Sequence, residues 1–404
     1  KIPALLFVAP FMANALSTTA PNKVVQWGVV LGGTVDEDKA TLEAFQNLAG
    51  AELVAVMDPI NSKSNIDDQC TTDQGSTTKT TFQRYDRRDD FLSDERIDAV
   101  WIGAPPGQHL YWAMHIASIR HSLPEVENPP KYICLSRPML GRSSDETATM
   151  AAALQARKLV LVPAPMSSLQ DRLTWIQKHV VSVSGDLKFL KYHYTMAPGD
   201  AALDSWKGAA DVHGGGVLLE MGPIVLKFLE ILLGPLEDVK GEALNRNSPG
   251  QDVEDYVWMQ AKAGSVGVNA VWDMTRSNTQ VPNRDCFILK GDKHSLRIQG
   301  LVTEPVVEIY RVDEEDENKV ELVAWKDFGL APISGSRECL EQVTDQIQRG
   351  KPQVDLKATI RLSSHIDRIL KSYYGGRGDD FFARPATWPG IPPARRQLYL
   401  DQEK

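Results

Sequence analysis

The stretch from residue 24 to residue 38 reads VVQWGVVLGGTVDED. Its first eight residues are mostly apolar and partly β-branched, which predicts a short buried strand over Val24–Leu31. Gly32-Gly33 predicts a tight turn after that strand. A helix is predicted next, from apolar residues at the spacing of one helix face: Ala40, Leu42, Ala44, Phe45 and Leu48. Strand, glycine turn and helix are the opening unit of a parallel sheet with crossover helices.

The same alternation continues to residue 162 and then changes. The further apolar runs that predict buried strands are Glu52–Asp58, Ile97–Gly103, Lys131–Leu135 and Leu159–Val162. Beyond Pro163 most apolar runs alternate with period two, which is typical of an antiparallel sheet with one face in water. We therefore expect an α/β fold with a Rossmann-type dinucleotide-binding domain over residues 23–163. An α+β domain with an open, mostly antiparallel sheet is expected over residues 164–376.

Two terminal segments lie outside these expected domains. Residues 1–22 are largely apolar from Ile2 to Leu16, and Ala13-Asn14-Ala15 has the small-x-small pattern of a signal-peptidase site. This segment is interpreted either as secretory or organellar targeting, or as an arm that associates with a membrane or a protein partner. Residues 377–404 form a Pro- and Arg-rich tail, which is expected to wrap the surface.

The charge and the cysteines argue against several classes of protein. The net charge is -9 and no Lys/Arg-rich run occurs, which argues against a general nucleic-acid binder. The four cysteines form no CxxC pair, so neither a disulfide framework nor a metal site is expected. They are Cys70, Cys134, Cys286 and Cys339. Cys134 lies in an apolar run and is expected in the core.

Candidate cofactor-binding residues lie where the first two strands end. Gly32 and Gly33 would let the backbone approach a pyrophosphate, although the acids of residues 36–38 would repel it. Asp58 ends the second strand, where a carboxylate binds the ribose of NAD and repels the 2′-phosphate of NADP. NAD is therefore the expected cofactor, with NADP less suited. The alternative is a simple tight turn, with Asp58 forming a turn before Pro59 and no cofactor bound.

The order of these motifs resembles the Gfo/Idh/MocA family of oxidoreductases over residues 24–374. Residues 104–109, Ala-Pro-Pro-Gly-Gln-His, are similar to the family's loop beside the nicotinamide. Residues 135–139, Leu-Ser-Arg-Pro-Met, are similar to its Glu-Lys-Pro motif, and residues 214–222 resemble its glycine-rich segment before a helix. The resemblance implies a nicotinamide-dependent oxidoreductase that acts on a sugar-like or cyclic alcohol.

The resemblance also implies roles for single residues. Pro105, His109 and Arg137 would contact the cofactor, and the substrate would meet Tyr192, Tyr194 and Trp206. His109 could instead cap its loop, and the two tyrosines could be packing residues. These alternatives remain open at the level of sequence.

Two family positions differ here in ways that bear on catalysis. Arg137 stands in place of the family's lysine, and an arginine stays charged and cannot relay a proton near neutral pH. Ile224 stands in place of the histidine and has no proton to move. Lys227 replaces the final aspartate of the same motif. His213 and Lys227, together with Arg137, are the candidate catalytic residues, although either of the first two could be structural.

Three functions follow from this pattern. The first is an active oxidoreductase with rebuilt acid–base residues and a small-molecule substrate. The second is a repurposed enzyme without net redox chemistry, and the third is a non-catalytic subunit or regulator of a larger, membrane-bound assembly. Association as a homo-oligomer or with an assembly is expected through the C-terminal sheet or the N-terminal arm.

Overall fold

The computed structural model describes most of the chain. The described ranges are residues 24–32, 35–46, 48–58, 82–136, 141–162, 167–195, 210–246, 250–274, 284–302, 304–313, 315–316, 319–329, 336–350, 356–376 and 384–402. The predicted site residues Gly33, Arg137 and Trp206, and the segment of residues 1–22, lie outside these ranges. His213 is described in its backbone but not in its side chain.

Six parallel strands form the first sheet, in the spatial order β3-β2-β1-β4-β5-β6. These strands are β1 (Val25–Val30), β2 (Ala51–Met57), β3 (Gln83–Tyr85), β4 (Ala99–Ile102), β5 (Tyr132–Leu135) and β6 (Val160–Val162). The helices along this part of the chain are α1 (Val35–Gln46), α2 (Arg88–Leu92), α3 (Pro106–Ser122) and α4 (Ser144–Ala156). Chain order reverses between β1 and β4, the switch point at which such sheets bind ligands. The predicted Rossmann-type architecture is confirmed.

Eight strands form the second sheet, in the spatial order β14-β13-β12-β11-β7-β10-β9-β8. The strands are β7 (Leu187–Thr195), β8 (Glu237–Leu244), β9 (Tyr256–Ala263), β10 (Val266–Asp273), β11 (Arg284–Gly291), β12 (Ser295–Gln299), β13 (Val306–Val312) and β14 (Val320–Asp327). β7 pairs with β10 in parallel, and the other neighbouring strands are antiparallel. The predicted open, mostly antiparallel sheet is confirmed.

One face of the second sheet is covered by helices and the other is half-exposed. The helices that follow β6 are α5 (Ser167–Ser184), α6 (Ala210–His213), α7 (Val217–Leu233), α8 (Ser336–Gln348), α9 (Leu356–Tyr374) and α10 (Pro393–Gln402). The rings of Phe228 on α7 and Phe287 on β11 lie 4.6 Å apart between their centroids. This apolar helix and the inward residues of the strands therefore form one core.

The helix α8 packs against the first sheet, although it follows the second sheet in the chain. Leu340 and Val343 are fully buried in the same apolar cluster as Trp27 and Val29 of β1. Cys134 lies in this cluster too, so the prediction that it is a core residue is confirmed.

The tail after residue 384 packs on the second domain. Trp388 and Ile391 are buried in the core of that domain, and α10 follows them. Within the described ranges, the helices are too short or too polar to cross a membrane. Those ranges also hold no group of three or more His, Cys, Asp or Glu residues arranged to bind a metal ion.

Candidate functional site

The glycine turn after β1 is closed by a carboxylate from α1. Gly32 has a φ of 149°, in the region that favours glycine, and its N–H donates to Oδ1 of Asp38 over 3.3 Å. The Asp38 side chain is only 2% exposed. An acid from the first turns of the helix therefore lies directly against the turn that would face a pyrophosphate.

Asp58 lies beside this turn. The N–H of Leu31 donates to the carbonyl oxygen of Met57 over 2.8 Å, so the carboxyl ends of β1 and β2 lie side by side. Asp58 follows Met57 directly and is largely buried. The geometry thus places Asp58 at the edge of the sheet predicted from the sequence, next to Gly32.

The loop after β4 reaches the same edge. The N–H of Gly103 donates to the carbonyl oxygen of Val30 over 2.8 Å. Pro105 precedes α3, and the N–H of Gln108 donates to its carbonyl oxygen over 2.8 Å. Gly32, Asp58 and Pro105 are therefore brought together at the carboxyl edge of the sheet, as the sequence predicts.

His109 holds this loop from within the protein. Its Nε2 lies 2.8 Å from the carbonyl oxygen of Ala104, and the side chain is fully buried. Because a carbonyl oxygen only accepts, Nε2 carries the proton in this hydrogen bond. This buried hydrogen bond favours the loop-capping alternative for His109, and the cofactor contact implied by the resemblance stays a prediction.

The turn between α6 and α7 meets the first domain near this edge. Gly214 has a φ of 93°, and a Cβ added there would lie 2.7 Å from Cβ of Arg142. Nε of Arg142 donates to Oε1 of Glu146 over 3.0 Å, and α6 itself packs against α3. The glycine-rich segment therefore permits close contact between the two domains.

Glu254 is a buried residue of the site region that the sequence did not single out. Glu254 precedes β9 in the chain and is fully buried beside the first residues of α7. Its carboxylate accepts hydrogen bonds from the N–H groups of Gly216 (2.9 Å) and Leu218 (3.3 Å). The hydroxyl of Tyr374 also donates to it, over 2.7 Å. A Cβ on Gly216 would overlap the Glu254 carbonyl oxygen. The carboxylate of Glu254 thus balances the partial positive charge at the N-terminus of α7.

The helix α7 carries the position at which the resemblance implies a catalytic histidine. Ile224 there is 7% exposed and belongs to the apolar core. Lys227, one turn later, is partly exposed. Further along, Glu230 accepts two hydrogen bonds from Arg361, of 2.9 and 2.8 Å, and lies 4.0 Å from Nε2 of His365. Burial lowers the pKa of His365, with Arg368 and Arg361 adding to the effect against the opposing charge of Glu230.

The structure favours the packing alternative for Tyr192 and Tyr194, whose substrate role stays a prediction. Tyr192 is fully buried, with its ring centroid 4.4 Å from that of Phe287 and 5.8 Å from that of Trp272. This burial raises the pKa of its phenol well above the ordinary value. Tyr194 is buried in the same core. Strand alternation directs both tyrosines to the helix-covered face, so packing is their observed role.

Comparisons with known proteins give a family match for part of the chain. Residues 182–297 match the GFO/IDH/MocA C-terminal domain. Over 290 residues the chain is 22% identical to dTDP-3,4-didehydro-2,6-dideoxy-alpha-D-glucose 3-reductase of Streptomyces violaceoruber, a match that covers 70% of this chain and 79% of that protein.

Two solved structures show how widely the fold is shared. Biliverdin reductase of Synechocystis sp. PCC 6803, solved with biliverdin and NADP+, superimposes with a TM-score of 0.64 at 16% identity, covering 87% of this chain and 99% of that one. A dehydrogenase of Bordetella pertussis, solved with NADH and UDP-GlcNAcA, gives a TM-score of 0.63 at 15% identity, covering 88% and 96%. The chain is thus similar to the Gfo/Idh/MocA family in the sequence of residues 182–297, and it shares the two-domain fold of these solved oxidoreductases.

Proposed function

We propose that this chain binds NAD in preference to NADP and acts slowly on sugar-like or cyclic alcohols. The observation that carries the proposal is the meeting of Gly32, Asp58 and the Pro105 loop at one edge of the parallel sheet. Relatives of the same fold support it, since one is a sugar-nucleotide reductase and another was solved with NADH and a UDP-sugar.

The residues at this edge fit most of a dinucleotide. The Asp58 carboxylate would accept hydrogen bonds from the ribose hydroxyls and would repel a 2′-phosphate. The Pro105 loop, held by His109, would line the nicotinamide, with Arg137 expected beside it. When bound, the dinucleotide supplies the group that accepts or donates a hydride.

Asp58→Asn tests the cofactor preference. The variant removes the charge but keeps an oxygen that can bind ribose. We expect isothermal titration to show tighter binding of NAD than NADP by the wild type, and a much smaller difference for Asp58→Asn. Exposed Glu52→Gln, at the start of the strand that ends just before Asp58, is the matched control. Equal or tighter binding of NADP by the wild type would contradict the preference.

Proton transfer is the step of the proposed reaction for which the usual base is replaced in this chain. Oxidation of an alcohol moves a hydride to the cofactor and a proton from the hydroxyl to a base. The buried Ile224 accepts no proton, and Arg137 stays charged. His213 and Lys227 are the remaining candidate bases. General acid–base catalysis contributes roughly 10²–10⁴-fold to such rates, so we expect slow turnover.

A panel of inositols, aldoses and cyclic diols with NAD and NADP tests this expectation. The wild type should show little turnover, and the double variant Arg137→Lys with Ile224→His should be faster by roughly 10²-fold. Robust wild-type turnover that persists in His213→Ala and Lys227→Ala would show that the chemistry lies elsewhere.

A non-catalytic subunit or regulator is the second candidate function. The edge strand β14 favours it, because Trp325 is 62% exposed and Leu322 is 48% exposed, and exposed apolar patches often mark interaction sites. Docking through this sheet, without turnover, would fit the altered catalytic positions. Association that is lost in Trp325→Lys, in a protein that neither binds nor reduces NAD, would favour this function over the first.

A further inference from the structure

The carboxylate of Asp38 occupies the inner side of the glycine turn. Its Oδ1 accepts the N–H of Gly32 over 3.3 Å, and its side chain is almost completely buried. In dinucleotide-binding folds, backbone N–H groups at this turn and at the start of the next helix face the pyrophosphate. In this protein the N–H of Gly32 already donates to the carboxylate of Asp38.

A second acid follows the neighbouring strand, and two more acids precede Asp38 in the sequence. Asp38 is preceded by Asp36 and Glu37 in the sequence. Lys39, the next cation, is exposed and lies 3.9 Å from Glu43. On the other side of the turn, Asp58 follows β2. A phosphorylated ligand at this turn would therefore approach the carboxylates of Asp38 and Asp58.

We infer that Asp38 weakens the binding of phosphorylated ligands, including dinucleotides, at this turn. This inference rests on the proposed function, because it assumes that the dinucleotide binds at the edge where Gly32 and Asp58 meet. Repulsion between like charges in a partly buried site is strong at short range and is weakened by salt. The effect of Asp38 is thus expected to grow with the number of phosphates and to shrink at high salt.

Asp38→Asn removes the negative charge of the side chain but keeps its hydrogen-bond acceptor. The asparagine oxygen still accepts the N–H of Gly32, so the turn is expected to keep its conformation. Asp38→Ser, which also retains an acceptor, is the second variant. Glu43→Gln on the exposed side of the same helix is the matched control, since it removes an equal charge away from the turn.

The test is isothermal titration of each full-length protein with NAD, ADP and adenosine, at about 20 mM and about 300 mM salt. At low salt, Asp38→Asn and Asp38→Ser should bind NAD and ADP on the order of tenfold more tightly than the wild type. Adenosine affinity should stay unchanged, the gain should shrink at high salt, and Glu43→Gln should match the wild type.

The other outcomes separate this inference from the proposed function. Equal or weaker NAD binding by both Asp38 variants would overturn the role of Asp38 alone, as would an equal gain for adenosine. Binding by the variants but not by the wild type at millimolar NAD would support the role of Asp38 and overturn the proposed function. No binding by any of the proteins would overturn both.

Discussion

Glu254 has no contact with water and three hydrogen-bond donors around its carboxylate. Glu254→Ala would leave the N–H groups of Gly216 and Leu218 buried without their acceptor. Because each unpaired buried group costs about 1–3 kcal/mol, we expect the free energy of unfolding to fall by about 3 kcal/mol or more. Urea denaturation measures this loss.

Two further variants serve as references for the loss of stability in Glu254→Ala. Tyr374→Phe removes only the hydroxyl that donates to Glu254, and it should cost about 1 kcal/mol. Exposed Glu237→Ala should have almost no effect. If Glu254→Ala unfolded at the wild-type urea concentration, the proposed cap of α7 would be wrong.

His365 gives the second prediction at this scale. Burial lowers its pKa below the ordinary value of 6.5, so the folded protein takes up this proton less readily than the unfolded chain does. Stability linked to His365 is therefore complete above pH 6.5 and is lost as the pH falls from 6.5 toward the lowered pKa. The dependence of unfolding free energy on pH should be shallower in His365→Gln than in the wild type or in His294→Gln, an exposed control. Identical pH profiles would refute this.

Single residues also mark the limit of sequence analysis. Gly32, Asp58 and Pro105 could be placed together because the carboxyl ends of parallel strands share one edge. Glu254 could not be found in this way, since its donors lie at residues 216, 218 and 374, far away in the chain. The burial of His109 and Tyr192 likewise depends on contacts that local patterns do not contain.

At the scale of elements, long buried segments were predictable and edge elements were not. The strand β1 and the helix α7 have continuous apolar patterns because most of their residues are buried. β8 and β14 lie at the two edges of the second sheet, and their charged and apolar residues alternate only weakly, so the sequence pattern predicts them poorly. α8 is also hard to predict, since most of its sequence is polar and the described apolar residues that join the core are Cys339, Leu340, Val343 and Ile347.

The docking of α8 on the first sheet gives the prediction at this scale. Leu340→Ala should lower the free energy of unfolding by about 2–5 kcal/mol, because it leaves a cavity in the core formed with Trp27. Faster hydrogen exchange in Val25–Val30 should accompany the loss. Exposed Arg337→Ala is the control on the same helix. Unchanged exchange in that strand would show that α8 does not support the first domain.

At the scale of the whole molecule, the N-terminal segment is expected to matter for association and not for folding. The first strand begins at Val25, so deletion of residues 1–22 should leave the folded core intact. If the apolar segment binds a partner chain or a membrane-bound assembly, the truncated protein should associate more weakly in native mass spectrometry. Two monomeric proteins that behave alike would make the segment a leader without a role in assembly.

The central claim is that a nicotinamide dinucleotide binds at the carboxyl edge of the first sheet, where Asp58 selects NAD. Isothermal titration of the full-length protein with NAD and NADP at low salt tests it most directly. We expect saturable binding of both dinucleotides, with NAD bound more tightly than NADP. The absence of any binding heat for either dinucleotide at millimolar concentration would contradict it.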